Sequence, residues 1–493
     1  MRMAMKKIFL SAAFLFLSVH AYAQFPEDAL RYSSPGLGVG ARSLGMGMAY
    51  TGVANDFSAT YWNPAGLGQI RMNEMSLGLA NNSFSNTSTL YNNSQSLTNS
   101  ATSLNNIGLV YPFPTERGSL VIAVGYNRQA DFTTGLSFNG FNTKSSIIQS
   151  WAPDLQKLSP DVSLAEQLYL AYADTITQRF VSPITGNLTQ SGKVLESGGL
   201  NNVTVSGAFE AEKNLYIGAT LNFITGSYKY TRNYYEDDLA GVYDSNTVRT
   251  YNNNATTSTF DFQSLSLTQT VESDLSGFSA KFGMLYKFAP GSRVGFTIKT
   301  PSLISVRELF SQSASSTFDN GDRYTYPSAE SVPERNDYDV TTPFVFSAGF
   351  SHSIGDLMIA GDVEYTDWTQ MEFSNADTRL LSYNTEIKQL YQPTANLHAG
   401  AEYEFSATGF RLRGGYAYLP SPYSGDPASF AQKYITAGLG FVVQDAIAFD
   451  IGYAHGTWNT KHANYVDPNN NVTSETEETV KTNNFIVTTS FRF

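Results

Sequence analysis

From about residue 73 onward, apolar and polar positions alternate with a period of two, the signature of half-buried strands. In the stretch 118–128, Leu120, Ile122, Val124 and Tyr126 share one face and Val121, Ala123, Gly125 and Asn127 the other. The stretch 278–288 sets Phe278, Ala280, Phe282, Met284, Tyr286 and Phe288 against Ser279, Lys281, Gly283, Leu285 and Lys287. Leu357, Ile359, Val363 and Tyr365 oppose Asp362 and Glu364, and Leu397, Ala399, Ala401, Tyr403 and Phe405 oppose His398, Gly400, Glu402 and Glu404.

The pattern predicts strands near 74–84, 104–113, 118–132, 200–210, 214–231, 262–288, 292–312, 337–353, 356–372, 394–406, 409–420, 432–443, 446–459 and 481–493. That is about fourteen, an even number, as single-chain bacterial barrels have. The connections alternate in length. Short ones fall at 114–117, 211–213, 289–291, 355, 407–408 and 444–445. Long ones fall at 85–103, 133–199, 232–261, 313–336, 373–393, 421–431 and 460–480. An up-and-down barrel with both ends in the periplasm produces this alternation, and a Greek-key sandwich does not. The expected fold is therefore all-β, a transmembrane antiparallel up-and-down β-barrel. Tyr365 and Trp368, Tyr416 and Tyr418, and Tyr453 and Trp458 gather near strand ends, as girdle aromatics do. One helix stands out in the long loops. Ser163–Arg179 carries Leu164, Leu168, Ala171, Tyr172 and Ile176 on one face, either packed on the barrel rim or lining an apolar entry groove.

Composition supports the membrane reading. Only 15% of the 493 residues are charged, against roughly 25% in soluble domains, while Phe numbers 33 and Tyr 30. A mean hydropathy of −0.22 is too polar for a helical membrane protein but suits a barrel, where every second residue faces a polar lumen. The net charge of −12 argues against nucleic acid as a partner. At the start, Arg2, Lys6 and Lys7 precede the apolar run Ile8–Val19 and then Ala21-Tyr22-Ala23. This reads as a secretory signal peptide over residues 1–23 that leaves Gln24 first. No cysteine is present, which excludes a lipoprotein anchor.

Residues 24–72 differ from the rest. They are rich in glycine and alanine, nearly uncharged, and without sustained periodicity, so they make sense only packed inside something larger. A small-residue run with Gly45 and Gly47, then Asp56, then Tyr61-Trp62-Asn63-Pro64-Ala65-Gly66-Leu67, resembles the N-terminal hatch of the FadL/TodX family. Further matches are Arg293–Pro301, Thr342–Phe350 with Asp362–Trp368, Arg413-Gly-Gly-Tyr-Ala-Tyr-Leu-Pro-Ser-Pro422, Ala437–Phe441 and Asp450–Tyr453. The resemblance implies outer-membrane transport of long-chain fatty acids or aromatic compounds in a Gram-negative bacterium, with 24–72 as the hatch and 73–493 as the barrel. It implies a hatch held at Gly45, Gly47, Asp56, Trp62, Asn63, Pro64 and Ala65. Ligand contacts fall to Phe25, at the new N-terminus, and to Leu164, Leu168 and Tyr172. It also implies a lateral exit in strand 118–132, where Arg128, Gln129 and Asp131 interrupt the outward apolar row. The alternative for those three is that they have risen above the membrane.

No motif argues for catalysis, a cofactor or a metal. His352, His398, His455 and His462 lack ligand spacing, and His398 with Glu402 and Glu404 reads as polar lumen lining. Gly36-x-Gly38-x-Gly40 does not sit between a strand and a helix with a following Lys-Ser/Thr, so it is no phosphate loop. Two function classes follow from the resemblance: a passive channel for hydrophobic molecules, or a protein-binding or secretion component on the same scaffold (PorV-like). Expected partners are a hydrophobic small molecule, outer-membrane lipid and, through the C-terminal strand, the barrel assembly machinery; a monomer is expected. The final strand places Phe485, Val487, Phe491 and Phe493 on one face. Replacing Phe493 by Asp should lower the amount of protein in outer-membrane fractions. An unchanged level on immunoblots would count against this role of the terminal aromatic.

Overall fold

The computed structural model describes residues 26–151, 160–174, 179–243, 247–249, 258–327, 332–444, 446–467 and 472–493. The expected signal peptide and Phe25 lie outside the described residues. Fourteen antiparallel wall strands close on themselves, the first pairing with the last from Glu74↔Arg492 upward. In order they begin with Glu74–Leu90 and Asn93–Phe113, and the third is Leu120–Asp131 continued by Thr134–Asn142. Leu188–Glu212, Leu215–Asp237 and Phe262–Ala289 follow. The seventh is Ser292–Lys299 continued by Leu303–Phe318, and the eighth Glu334–Thr341 continued by Val345–Ile354. Leu357–Asp367, Pro393–Phe405, Phe410–Leu419, Gln432–Val443, Ile447–Asp467 and Val472–Arg492 complete the wall.

The alternation sorts as expected. Leu77, Ile107, Leu109, Ile122, Val124, Phe223, Phe282, Phe296, Phe346, Leu397 and Phe441 are all exposed on the outer face, a continuous apolar surface made for lipid. Their neighbours in sequence point inward. Among the described residues no helix is long and apolar enough to cross a membrane; strands make the crossing.

Several boundaries depart from the sequence reading. The stretch 85–103 is not a long loop, since the first two strands pair on to Leu90↔Asn93 around the two-residue turn Tyr91-Asn92. Both turn residues have positive φ (48° and 66°), the type I′ geometry of tight hairpins. Likewise the last two strands pair to Asp467↔Val472. Above the lipid the outward face turns polar, as Ser83, Ser85, Thr87 and Thr89 illustrate, so the hydrophobic alternation stops while the ladder continues. The expected helix Ser163–Arg179 is shorter: a helix over Pro160–Gln167 ends at Tyr169 (φ 57°), and Tyr172–Asp174 is a strand paired with Arg179–Val181. A left-handed residue cannot continue a right-handed helix, so Leu168 is on the turn and Tyr172 is beyond it. Nor is that the sole loop helix. Thr378–Leu390 is helical, with Asp377 accepting from the Leu380 N–H (2.8 Å), and it buries Leu380, Tyr383 and Ile387 at helical spacing.

Residues 26–72 lie within the barrel and are bounded by glycine on both sides of the contact. Five cross-strand pairs, Gly108↔Gly125, Gly218↔Gly283, Gly295↔Gly349, Gly400↔Gly415 and Gly438↔Gly452, form a belt around the inner wall. Glycine weakens a strand and is tolerated where another backbone comes close. Here the other backbone is the N-terminal segment. A Cβ on Gly45 would stand 2.9 Å from Gly438 Cα, one on Gly283 2.9 Å from Pro64 Cδ, and one on Gly125 2.5 Å from the Phe57 ring. Gly415 meets the Gly47 backbone directly, whereas its neighbour Gly414 faces outward and has no atom nearer than 3.9 Å to such a Cβ. Gly415→Val should therefore destabilise the packed segment by about 1–3 kcal/mol, the usual cost of overpacking, while Gly414→Val should not. Limited proteolysis of the N-terminal segment in the inserted barrel measures the difference. Equal resistance in both variants would show that the close approach is not what holds the segment.

Candidate functional site

Two features distinguish this lumen from a water-filled pore: a packed segment fixed by polar contacts, and a break in the wall above it. The segment's corner is Asn63-Pro64-Ala65. Asn63, fully buried, donates from Nδ2 to the Thr51 carbonyl (2.9 Å) and to the Met284 carbonyl of the wall (3.1 Å), and its Oδ1 accepts from the Ala65 N–H (3.1 Å). Pro64 opens the 3₁₀ turn Pro64–Gln69, where its fixed φ suits and no donor is missed. Asp56 caps Phe57–Thr60 through the Ser58 N–H (2.9 Å) and accepts from the Tyr50 hydroxyl (2.6 Å). Trp62 donates from its indole to the Val39 carbonyl (2.9 Å), drawing the early part of the segment onto the corner.

Charge ties the segment to the wall. Arg42 forks onto Glu402 (2.8 and 2.7 Å), whose Oε2 also accepts from Arg413 Nε (2.5 Å); Arg413 Nη1 reaches Asp450 (2.6 Å). The Arg413 side chain is wholly buried. Asp362 accepts from the Tyr50 and Thr51 N–H groups (2.7 and 2.6 Å). Glu74 accepts from the Phe57 N–H (2.8 Å) and from Arg492 (3.0 Å), so one carboxylate joins first strand, last strand and segment.

Above this floor the helix Pro26–Ser33 stands in an apolar chamber. Ala29 and Tyr32 pack with Phe132, Tyr228, Val271, Ile304 and Tyr338 of the wall and with Leu380 and Ile387 of the loop helix. Arg31 lies 4.3 Å over the Tyr228 ring and faces Glu196 at 3.4 Å. Leu164 and Leu168 are not in this chamber. They are fully buried higher up, in a separate core with Ile148, Tyr234, Phe262 and Phe318. Tyr172 lies in the short strand beyond the helix and does not share a helix face with them.

The break falls where Arg128, Gln129 and Asp131 are. The second and third strands pair only from Phe113↔Leu120 to Asn106↔Asn127. Beyond that the third strand keeps its ladder with the fourth strand, through a bulge between Arg128 and Ala130, but has none with the second. Its continuation lies against the first hairpin through side chains: Asn86 donates to the Gly135 carbonyl (3.1 Å) and Asn99 to the Thr134 carbonyl (2.8 Å). Arg128 and Asp131 pair with each other (2.8 Å), and Asn82 reaches Asp131 (3.4 Å). The freed Gln129 carbonyl accepts from the Gly36 N–H of the inner segment (2.9 Å). A small cavity of about 50 Å³ lies between the helix and the floor, and Ser33, Pro35, Gln129 and Asn202 line its side at the break.

A sequence profile of the outer membrane protein transport family (OMPP1/FadL/TodX) matches residues 39–493. The chain belongs to that family. It is accordingly a protein of the Gram-negative outer membrane. Among solved structures, a Pseudomonas aeruginosa FadL homologue superposes with a TM-score of 0.56 at 14% identity, over 92% of this chain and 98% of the other. The P. putida toluene transporter TodX does so at 0.54 and 13%, over 92% and 99%. At such identities these likenesses establish the fold alone. No curated protein sequence matches the chain.

Within this family member, the residues that sequence reasoning missed are the charged ties and the glycine belt. Arg42 had a visible signal, because it is the sole charge between Arg31 and Asp56. Glu402 was seen on the lumen face, but nothing in the sequence joined it to Arg42 across 360 positions. Removing one partner of a buried ion pair costs about 3–5 kcal/mol when the other is left uncompensated. Glu402 keeps Arg413, so Arg42→Ala should loosen the segment at this end by less, about 1.5–3 kcal/mol for the lost charged hydrogen bonds, whereas Arg71→Ala, at an exposed arginine, should cost under about 1 kcal/mol. Hydrogen exchange of the segment's amides reads both. Matching protection in the two variants would show that the Arg42 pair does not hold the segment.

Proposed function

We propose that the protein is a passive channel for hydrophobic small molecules, and that residues 24–72 of its mature chain, exposed by loss of residues 1–23, serve as its hatch. The observation that carries this reading is the break between the second and third strands, which opens beside the apolar chamber. An unpaired stretch of wall is costly in lipid, where no water is available to satisfy backbone groups, so its presence asks for a purpose. Ala130, Phe132 and Tyr228 give its inner side an apolar lining. The break sits just above the outward row Leu120, Ile122 and Val124, so a molecule leaving there meets acyl chains rather than periplasm.

On this reading the glycine-packed segment with Asn63-Pro64-Ala65 at its corner blocks water and ions, and apolar molecules leave sideways at Arg128–Asp131. The helix Pro26–Ser33, with Phe25 ahead of it, stands where a ligand would and yields to it. Leu164, Leu168 and Tyr172 belong to the outer approach, and the burial of Leu164 and Leu168 means that capture requires this cap to part. Relatives of the same fold carry toluene transporters among them, which supports a hydrophobic cargo. Among the described residues no observation favours a secretion partner over a small molecule.

The extra residue at the bulge supplies the test. Deleting Gln129 brings the third strand back into register with its neighbours and should close the break. Uptake of a labelled aromatic hydrocarbon and of a labelled fatty acid should exceed that of cells lacking the protein, and the deletion should lower it about tenfold or more at equal protein level. Equal uptake with and without the protein would sink the channel reading; undiminished uptake in the deletion variant would sink only the lateral exit.

A further inference from the structure

The outer face of the wall passes from lipid to water along a line that the strand register defines. On the twelfth strand the outward row climbs from Val443 through Leu439 and Ile435 to Lys433. On the fourteenth it climbs from Phe491 through Val487 and Phe485 to Lys481. Val443, Ile447 and Phe491 share one register row at the periplasmic end, and Lys433, Thr457 and Lys481 share another at the extracellular end. The ten residues from Val443 to Lys433, at a rise of ~3.3 Å and a tilt of ~40°, climb about 25 Å, which is the height of the apolar band of such barrels. Both exposed ammoniums therefore stand at the head-group level of the outer leaflet.

Lys433 and Lys481 flank Thr457 of the thirteenth strand, which sets their backbones about 10 Å apart. Long flexible stems let both ammoniums reach one anion between them. Among the described residues neither lysine is paired with a carboxylate. The register neighbours of the two are Tyr418, Thr457 and Ser85, none of them acidic. On the opposite side of the ring the outward cations are neutralised: Lys229 pairs with Glu272 (2.5 Å), and Arg307 lies between Asp274 and Asp337 in register. Above the lysines the thirteenth and fourteenth strands present Asn459, which accepts from the Thr479 hydroxyl (3.1 Å). Below them Ile435 is 67% exposed, and the Tyr453 and Phe485 rings lie 4.7 Å apart.

We propose that Lys433 and Lys481, with Thr457 between them, form an outward-facing site for the phosphate of an outer-leaflet glycolipid. The two ammoniums make charge-assisted hydrogen bonds to the phosphate. Ser85, Asn459 and Thr479 face its sugar, and Ile435, Tyr453 and Phe485 face its acyl chains. The order along the wall, apolar and aromatic below, cationic in the middle and hydroxyl or amide above, matches the order of groups along such a lipid. The inference is independent of what the channel carries and rests only on the placement of the chain in the outer membrane.

The test uses the full mature chain in non-ionic detergent, with native mass spectrometry to measure retained lipid. The probes are diphosphorylated lipid A, the same lipid with both phosphates removed, phosphatidylglycerol and inorganic phosphate. The parent should hold diphosphorylated lipid A at least about tenfold more tightly than the dephosphorylated form, as two lysines near an anionic head group provide. K433Q/K481Q should bring it down to the dephosphorylated level, and K433R/K481R, which keeps both charges, should retain the preference. K229Q, which removes a cation already neutralised by Glu272, should leave it unchanged. Heat-dependent mobility on gels confirms that each variant is a folded barrel. Equal retention of the two lipid A forms, or an unchanged preference in K433Q/K481Q, would overturn the site. An equal loss in K229Q would overturn it in favour of general surface charge. Phosphatidylglycerol held as tightly as lipid A would overturn the glycolipid in favour of any anionic lipid, and displacement of lipid A by equimolar inorganic phosphate would do so in favour of a free anion. None of these readouts depends on uptake, so a failure here leaves the channel reading standing.

Discussion

Backbone meeting backbone at the glycine belt is the contact on which the rest of this molecule depends. A ring of fourteen strands encloses more space than its own inward side chains can fill. Filling it with ordinary side chains from a second layer would need a wider ring still. The solution here removes side chains from both surfaces. The wall presents glycine in register pairs, and the inner segment presents Gly45, Gly47 and Gly52 to them. Each wall glycine weakens its own strand by roughly 0.5–1 kcal/mol relative to alanine. A closed ladder of long strands tolerates that cost, because every one of these strands is paired on both sides.

Close approach alone does not choose a register, and the polar contacts do. Arg42 with Glu402, Asp362 with two amides, Asn63 with Met284, and Glu74 with Phe57 fix the segment at widely separated points on the ring. Buried charges of this sort add little to stability when compared with apolar packing, yet they penalise any other placement heavily. The inner surface of a barrel repeats from strand to strand, so a segment without such ties would have several near-equivalent seats.

The barrel was legible because its strongest determinant is written locally. Alternation gave the fourteen wall strands, and Leu120, Ile122 and Val124 face lipid as their spacing required. The strand ends were not legible, since Ser83–Thr89 carry no hydrophobic face once the wall leaves lipid. The helix over Pro160–Gln167 was overextended because Ala171 and Tyr172 kept the period after Tyr169 had broken the backbone. The helix Thr378–Leu390 was overlooked although Leu380, Tyr383 and Ile387 spell it out. The individual wall glycines were visible on the polar face of their strands, but their pairing exists only after register is known. Contacts such as Lys281 beside Lys299 belong to the same class: two unremarkable lysines in sequence become a cation pair when two strands are laid side by side.

The break in the wall and the inner segment are a single device. Where the second strand stops pairing with the third, a carbonyl at Gln129 loses its partner, and Gly36 supplies one from inside. Asn105, at the irregular step of the second strand, turns inward to hold Gly38 and Gly40 through their backbone (3.3 and 2.9 Å). The segment therefore stabilises the very irregularity that it borders. Wall and segment are bound to each other at that point. The chamber, the break and the cavity meet within the few residues from Ser33 to Gly40, which line the cavity at Ser33 and Pro35 and serve the wall as backbone partners at Gly36, Gly38 and Gly40.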